Sequence, residues 1–400
     1  MIIRTRAGMT RLYNPATWTE WSQPYKSGQQ FKSPKLRYIQ WKATLVTGSP
    51  KQTPVLKSVK ISGSAITRPS QDDKRIKIAK YQNEMIVLSS WHFTYQRWDE
   101  PKLKVLREEN NLDEIIKGAG TEFEKYLRLR KWSSRPGLWK SSWFGADPGE
   151  DALAILQWCR KNRGHCGLKA HSFCHHYAHV YSQACLAMGL QARTLVATGD
   201  GHGHCFTEVW SNDYKKWVFI DPEHDFHVAK DGKWRKTAAE GVIPISTLER
   251  HDLKQAFPLY KNIAIWLRND ILSIMPPNPL WDGGHHFRWD GRLWWLDKKY
   301  RFQPEFTNQT DRVADFYWTL NQTAFDLQYG DKPGTLSVNM ETVTPNFDTF
   351  EIKLDDKSWR PSPPAFTWKL HNGRNEIRAR TRNKFGLAGI VSQVASLYSR

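Results

Sequence analysis

Cysteine is scarce in this chain, with five residues in 400 and no two of them spaced as Cys-x-x-Cys. That absence argues against a zinc ribbon or a thioredoxin-type centre, and an odd number cannot all pair in a disulfide framework. No stretch is apolar for long enough to cross a bilayer. The opening "MIIRTRAGMTRLYNPATW" has no long apolar core of the kind a secretory leader carries. The compartment therefore stays open: cytoplasmic by default, exported if an upstream leader is missing. There is no low-complexity tract and no repeat at helical period. Acidic residues are outnumbered, 40 against 59 lysines and arginines, for a formal net charge of +19. This surplus points to an anionic partner such as an acidic polysaccharide. The basic residues are spread, however, through short stretches at Lys74–Lys80, Lys125–Lys131 and Arg374–Lys384. With no long basic tail and no nucleic-acid motif, a solvated basic surface is the favoured reading and a nucleic-acid partner ranks last.

What the chain has in excess is tryptophan, 20 residues in all. Tryptophan joins a large apolar area to one polar N–H, so this density suits sandwich cores or sugar-stacking surfaces. Trp18, Trp21, Trp41, Trp318, Trp359 and Trp368 fall in strand-rich flanks, where core packing is favoured over carbohydrate binding. Four hundred residues exceed one compact domain, and the patterning divides them into three. Residues 1–75 read as strands that form part of a sandwich, with "RYIQWKATLV" alternating Ile39, Trp41 and Ala43 against Tyr38, Gln40 and Lys42, and "VLKSVKIS" following. Residues 76–300 mix helices with an antiparallel sheet, an α+β arrangement. Residues 301–400 lose helical periodicity and carry turn signals at the spacing of an Ig-like β-sandwich. Within them, "FTWKLHNGRNEIRART" reads as a hairpin turning at Asn372-Gly373.

The middle segment carries the chemistry. "LDEIIKGAGTEFEKYLRL" has helical spacing from Ile115 to Leu127 with Asp113 as cap, and "EDALAILQWCRKN" reads as a second helix. A third starts in "HSFCHHYAHVYSQACLAMGL": with Ser172 as N-cap, Cys174 sits in the first turn, and Gly189 ends the helix. Unpaired backbone N–H groups and the helix dipole favour a thiolate there. "QARTLVAT", "HCFTEVW" and "KKWVFID" read as strands. With Ser211–Tyr214 as the hairpin loop, Trp210 pairs with Lys215, Glu208 with Trp217, and His204 with Asp221, which sets the last two about 5 Å apart at Cβ on one face. A cysteine thiolate, a histidine base and an aspartate that orients it are the parts of a thiol acyl-transfer site. Cys159, Cys166, Cys185 and Cys205 read as structural, and Cys205 points to the strand face opposite His204. His171, His175 and His179, spaced four apart, could in principle bind zinc. No HExxH is present, however, and no carboxylate sits within the ladder, so they are read as exposed or core-edge residues. The His285-His286 pair is similarly suggestive but unsupported, and no metal or cofactor is assigned.

"FCHHYAHVYSQACLAMGLQAR" followed by "GHCFTEVWSNDYKKWVFIDP" resembles the transglutaminase-like superfamily. Cys174 falls on that family's nucleophile, His204 on its base and Asp221 on its orienting acid. Gly189, Ala192, Arg193, Glu208, Val209, Trp217 and Pro222 fall on flanking positions, and Phe206 stands where the family commonly has tryptophan. The resemblance covers roughly Ala152 to His227. It implies a papain-like core and cysteine-dependent attack on an amide through a thioester, with hydrolysis ahead of cross-linking and no cofactor. The substrate would be a protein, peptide or glycoprotein. Two alternatives stand beside it: peptide N-glycanase-like deglycosylation, and a non-catalytic scaffold holding an anionic polysaccharide.

Overall fold

The computed structural model describes residues 2–13, 18–26, 28–34, 36–48, 55–56, 58–62, 74–134, 149–161, 174–199, 202–252, 262–270, 291–296 and 308–400. Cys166, His171, Ser172, His285 and His286 lie outside the described residues. The chain opens with an antiparallel ribbon of β1 (Ile2–Gly8) and β2 (Tyr38–Thr44). Arg6 lies 4.5 Å from the centre of the Trp21 ring and Lys42 lies 4.3 Å from it, so cations cover this tryptophan. The described part of "VLKSVKIS" forms no strand. Strand β3 (Ile76–Gln82) leaves the ribbon and joins a sheet built from the end of the chain.

Among the described residues five helices follow: α1 (Pro101–Glu109), α2 (Leu112–Ile116), α3 (Glu122–Ser133), α4 (Ala152–Lys161) and α5 (Cys174–Ala187). The single helix expected around Ile115–Leu127 is two helices, and Asp113 is not its cap. Gly118 takes a left-handed φ of 74°, where a glycine pays no steric penalty. Thr121 then caps α3 by accepting from the Glu124 N–H at 3.1 Å, while the Glu124 carboxylate takes the Gly120 N–H at 2.8 Å, so each residue satisfies an N–H the other end of the turn would leave open. Asp113 instead pairs with Arg107.

The central sheet contains β4 (Ala192–Gly199), β5 (His202–Ser211) and β6 (Lys216–Ile220). After the small ribbon of β7 (His227–Val228) and β8 (Trp234–Arg235) and the short helix α6 (Thr247–Asp252), it is extended by β9 (Asn262–Trp266), β10 (Arg292–Trp295) and β11 (Gln309–Thr310). The order is β11-β10-β9-β4-β5-β6, antiparallel except for β10 with β11. Helix α5 lies on one face, its Tyr181, Ala184 and Cys185 packed with Val209, Val218 and Ile220 of the sheet and with residues of α1, α3 and α4. The opposite face, carrying Leu195, Phe206, Trp217 and Phe219, is covered by Phe316 of α7 (Val313–Phe316), Trp318 and Leu248.

The C-terminal part is two antiparallel sheets. One contains β12 (Thr323–Tyr329), β13 (Thr335–Thr342) and β16 (Ala365–Lys369). The other runs β15-β14-β17-β18-β3, with β14 (Phe347–Leu354), β15 (Arg360–Ser362), β17 (Gly373–Asn383) and β18 (Ser392–Tyr398). The expected hairpin at Asn372-Gly373 is absent: β16 pairs with β13, and β17 with β14 and β18. Gly373 does turn the chain, at φ 94°, but it carries it from one sheet to the other. Trp368 and Ile377, on either side of this corner, enter the same core cluster from the two different sheets. Of the six flank tryptophans expected in cores, Trp318 and Trp368 are buried there, whereas Trp41 on the two-stranded ribbon is exposed and Trp18, Trp21 and Trp359 are half-buried. The whole is a mixed α/β architecture of several antiparallel sheets and few helices.

Candidate active site

Cys174 is the residue from which α5 is described, and it is partly exposed. The helix behind it is buried along nearly its whole length, because it lies between the sheet and the helical layer. Tyr181 donates to the Tyr126 carbonyl at 3.1 Å, and Thr207 of β5 donates to the Ala178 carbonyl at 3.4 Å. The helix ends at Gly189, φ 76°, with the Leu190 N–H reaching back to the Cys185 carbonyl at 3.0 Å.

The β5–β6 hairpin has a loop of the expected length, displaced by one residue to 212–215, with Lys215 left-handed at φ 53°. The pairs are therefore Trp210 with Trp217 and Glu208 with Phe219, two residues away from the expected register. Tertiary contacts select this loop. Asp213 accepts the Phe123 N–H at 2.9 Å and Asn212 donates twice to Glu122, at 2.8 and 2.7 Å, so the start of α3 and the hairpin satisfy each other's polar groups. A shift of two keeps every side chain on its face. His204 and Asp221 still share one side, as diagonal rather than opposed neighbours, and the His204 Nε2 donates to Asp221 Oδ2 at 2.9 Å.

Asp221 lies just past β6, where its backbone bridges Phe226 across a tight turn. Its carboxylate also accepts from the His224 N–H at 3.1 Å and from His224 Nδ1 at 3.2 Å. Against the upward pull of burial, these hydrogen bonds hold Asp221 well below the usual carboxylate range. The turn is clamped from α3. Arg130, fully buried, donates to Asp225 at 2.9 Å and to the Lys236 carbonyl at 2.6 Å, and meets His227 Nδ1 at 3.0 Å. Burial and this neighbouring charge push His227 down to about 3, which leaves its Nδ1 free to accept.

The sulfur of Cys174, a ring nitrogen of His204 and a carboxylate oxygen of Glu223 lie within 4.8 Å of one another. Cys174 is held down to about 4 by hydrogen bonds from the Cys205 thiol and from His204, with burial opposing. Burial pulls His204 down too, but its hydrogen bonds to Asp221 and Cys174 raise it to about 10. The pair is thus a thiolate beside an imidazolium. Cys205 is driven well above an ordinary thiol, chiefly by its bond to Cys174, so it stays protonated and donates. Burial and the Cys174 charge raise Glu223 to about 7; its oxygen is 3.7 Å from His204 Nδ1.

The structure therefore brings Cys174, His204 and Asp221 together, and adds three neighbours that the sequence reading passed over. Cys205 packs on the face toward α5, as its strand parity requires, yet that face leads to the Cys174 sulfur. Glu223 and His224 follow Asp221 directly in "DPEH", and that adjacency was the available signal. Arg193 and Glu208 form a fully buried pair on the other face of the sheet, Nη2 to Oε2 at 2.6 Å. Arg193 stacks 4.1 Å from the Trp217 ring, and Glu208 accepts from the Thr247 N–H and the Tyr317 hydroxyl. They fasten α6 and the segment after α7 to the sheet. His175, His176 and His179 are buried near the start of α5, beside Trp158 and Trp266.

Helix α5, described from Cys174, lies against an antiparallel sheet whose edge brings His204 and Asp221 to that cysteine. Residues 110–222 match the family model of the transglutaminase-like superfamily, so the chain carries a transglutaminase-like domain there, of a superfamily that typically works by cysteine-based acyl transfer. No curated protein matches the chain.

Proposed function

We propose that this domain is a cysteine-dependent hydrolase of amide bonds, with Cys174 as nucleophile, His204 as general acid and base, and Asp221 as the residue that orients the imidazole. The observation that carries this reading is geometric: the Cys174 sulfur and a His204 ring nitrogen lie within 4.8 Å of each other, and the Nε2 of the same imidazole is held by Asp221 at 2.9 Å. The Cys174 thiolate adds to the amide carbonyl carbon. The tetrahedral oxyanion collapses, the C–N bond breaks, and the His204 imidazolium gives its proton to the departing amine. The acyl group is left as a thioester. His204, now neutral, removes a proton from water; the hydroxide adds to the thioester and the C–S bond breaks, which releases the acid and restores the ion pair. Backbone N–H groups at the start of α5 are suited to the oxyanion. Asp221 needs only to keep the Nε2 proton in place. In this reading residues 76–300 carry the catalytic unit except for β3 (Ile76–Gln82), which pairs with β18 and belongs with the C-terminal sheets. These form an Ig-like sandwich beside the catalytic unit, and the substrate is a protein or peptide.

The test is the rate of iodoacetamide alkylation at Cys174 against pH, in wild type and His204→Ala, read by peptide mass spectrometry. A fast reaction that persists well below the ordinary thiol range, and moves upward in the variant, supports the reading. A reaction that titrates like a free thiol, or one unchanged in the variant, overturns it.

A further inference from the structure

Cys174 Sγ, a His204 ring nitrogen and a Glu223 carboxylate oxygen come from three separate segments and face one another within 4.8 Å. Thiolate, imidazole and carboxylate are the three donor types that zinc accepts. A tetrahedral ion with ordinary zinc bond lengths needs its nitrogen and oxygen donors roughly 3.4 Å apart, and His204 Nδ1 and Glu223 Oε2 stand 3.7 Å apart. Closing the site therefore asks for a movement of a few tenths of an ångström at that edge. The outer partner is also in place. A metal-bound histidine ordinarily gives its second N–H to a carboxylate, and His204 Nε2 already donates to Asp221 at 2.9 Å. Thiolate and carboxylate together carry the two negative charges that neutralise a dication. Cys174 and Glu223 are both partly exposed, so solvent can reach the ion and fill its fourth position.

We propose that Cys174, His204 and Glu223 form a binding site for a thiophilic divalent cation of the zinc type, and that this ion is a reversible inhibitor. The sulfur selects against magnesium and calcium, which prefer oxygen. The inhibition rests on the hydrolase reading above: the bound ion takes the sulfur lone pair that would attack the substrate and the imidazole nitrogen that would move the proton. The binding itself does not depend on that reading.

The experiment is a titration of the full chain with Co²⁺ alone, followed by displacement with Zn²⁺, in wild type, Cys174→Ser and Glu223→Gln. The expected result is one equivalent bound, with a near-ultraviolet thiolate-to-cobalt charge-transfer band and the strong visible bands of tetrahedral cobalt, all removed by Zn²⁺. Cys174→Ser abolishes the charge-transfer band, and Glu223→Gln, which removes a direct ligand, weakens binding by more than the roughly tenfold that loss of an outer hydrogen-bond partner costs. Glu223 is a loop residue with a partly exposed side chain, so its variant keeps the fold, which circular dichroism checks. Absence of the band in wild type, or Glu223→Gln binding as tightly as wild type, overturns the site. The alkylation profile of the metal-free protein separates the two readings. A low-pH thiolate without a cobalt band removes the metal site alone, whereas a cobalt band with an ordinary thiol profile keeps the site and removes its inhibitory consequence.

Discussion

Replacing Cys205 with alanine takes one thiol donor from the Cys174 sulfur and leaves His204 and Asp221 in place. The Cys205 thiol is the largest single influence holding Cys174 down, ahead of His204. A hydrogen bond to a charged acceptor is worth about 1.5–3 kcal/mol, and one unit of pKa corresponds to about 1.4 kcal/mol. Removing that donor favours the protonated form, so the Cys174 midpoint rises by about one to two units. It stays below an ordinary thiol because His204 still pairs with it. Cys205→Ser supplies an O–H donor at the same position and keeps the midpoint near that of wild type. The assay is alkylation of Cys174 from pH 3 to 9, with peptide mass spectrometry to separate it from Cys205. A midpoint unmoved in Cys205→Ala, or a serine variant that behaves like alanine, refutes the reasoning.

Turnover and alkylation should differ in their dependence on pH. The thiolate forms as pH rises past about 4, and His204 keeps its proton until about 10; alkylation needs only the first and shows one limb, whereas amide cleavage needs both and falls again above pH 10 in a pH–rate profile. Arg193→Met leaves the Glu208 carboxylate without its buried partner, and chemical denaturation should record a loss of about 3–5 kcal/mol. Gly189→Ala forces a left-handed φ of 76° on alanine and sets its Cβ 2.6 Å from the Phe385 ring; a loss of about 1–3 kcal/mol is expected, relieved in part by Phe385→Ala, and a variant as stable as wild type would contradict the packing described.

Much of the site could be read from local pattern. The helical span of α5 and the glycine that ends it follow from period and capping alone, although the helix is buried nearly all round rather than along one stripe. The register expected from the loop brings His204 and Asp221 together although it differs from the observed one by two residues. The conclusion survived because strand parity has a period of two, and the ladder stops at Ile220 in time for the imidazole to reach across. What escaped was whatever depends on packing at long range. Cys205 was set aside because it faces away from His204, and only the position of α5 across the sheet shows that this face leads to Cys174. The β16–β17 hairpin failed for the same reason: Asn-Gly marks a turn, but nothing near it says which sheet each arm will join. The break before α3 was legible, by contrast, in Gly118 and in the Thr121–Glu124 capping pair, and a longer helical period was preferred over both.

Helix α3 grips the β5–β6 hairpin twice: Glu122 and Phe123 hold the loop at one end, and Arg130 holds the turn that carries Asp221 at the other. From Glu122 to Arg130 the helix advances about 12 Å, and from Lys216 to Ile220 the strand covers about 13 Å. The helix thus works as a jig against which the hairpin is cut to length. An insertion or deletion in either, unmatched in the other, would move Asp221 off the imidazole while leaving every residue of the site unchanged. Natural length variation in this part of the chain is therefore expected only in coordinated pairs, or in the loops outside the two grips.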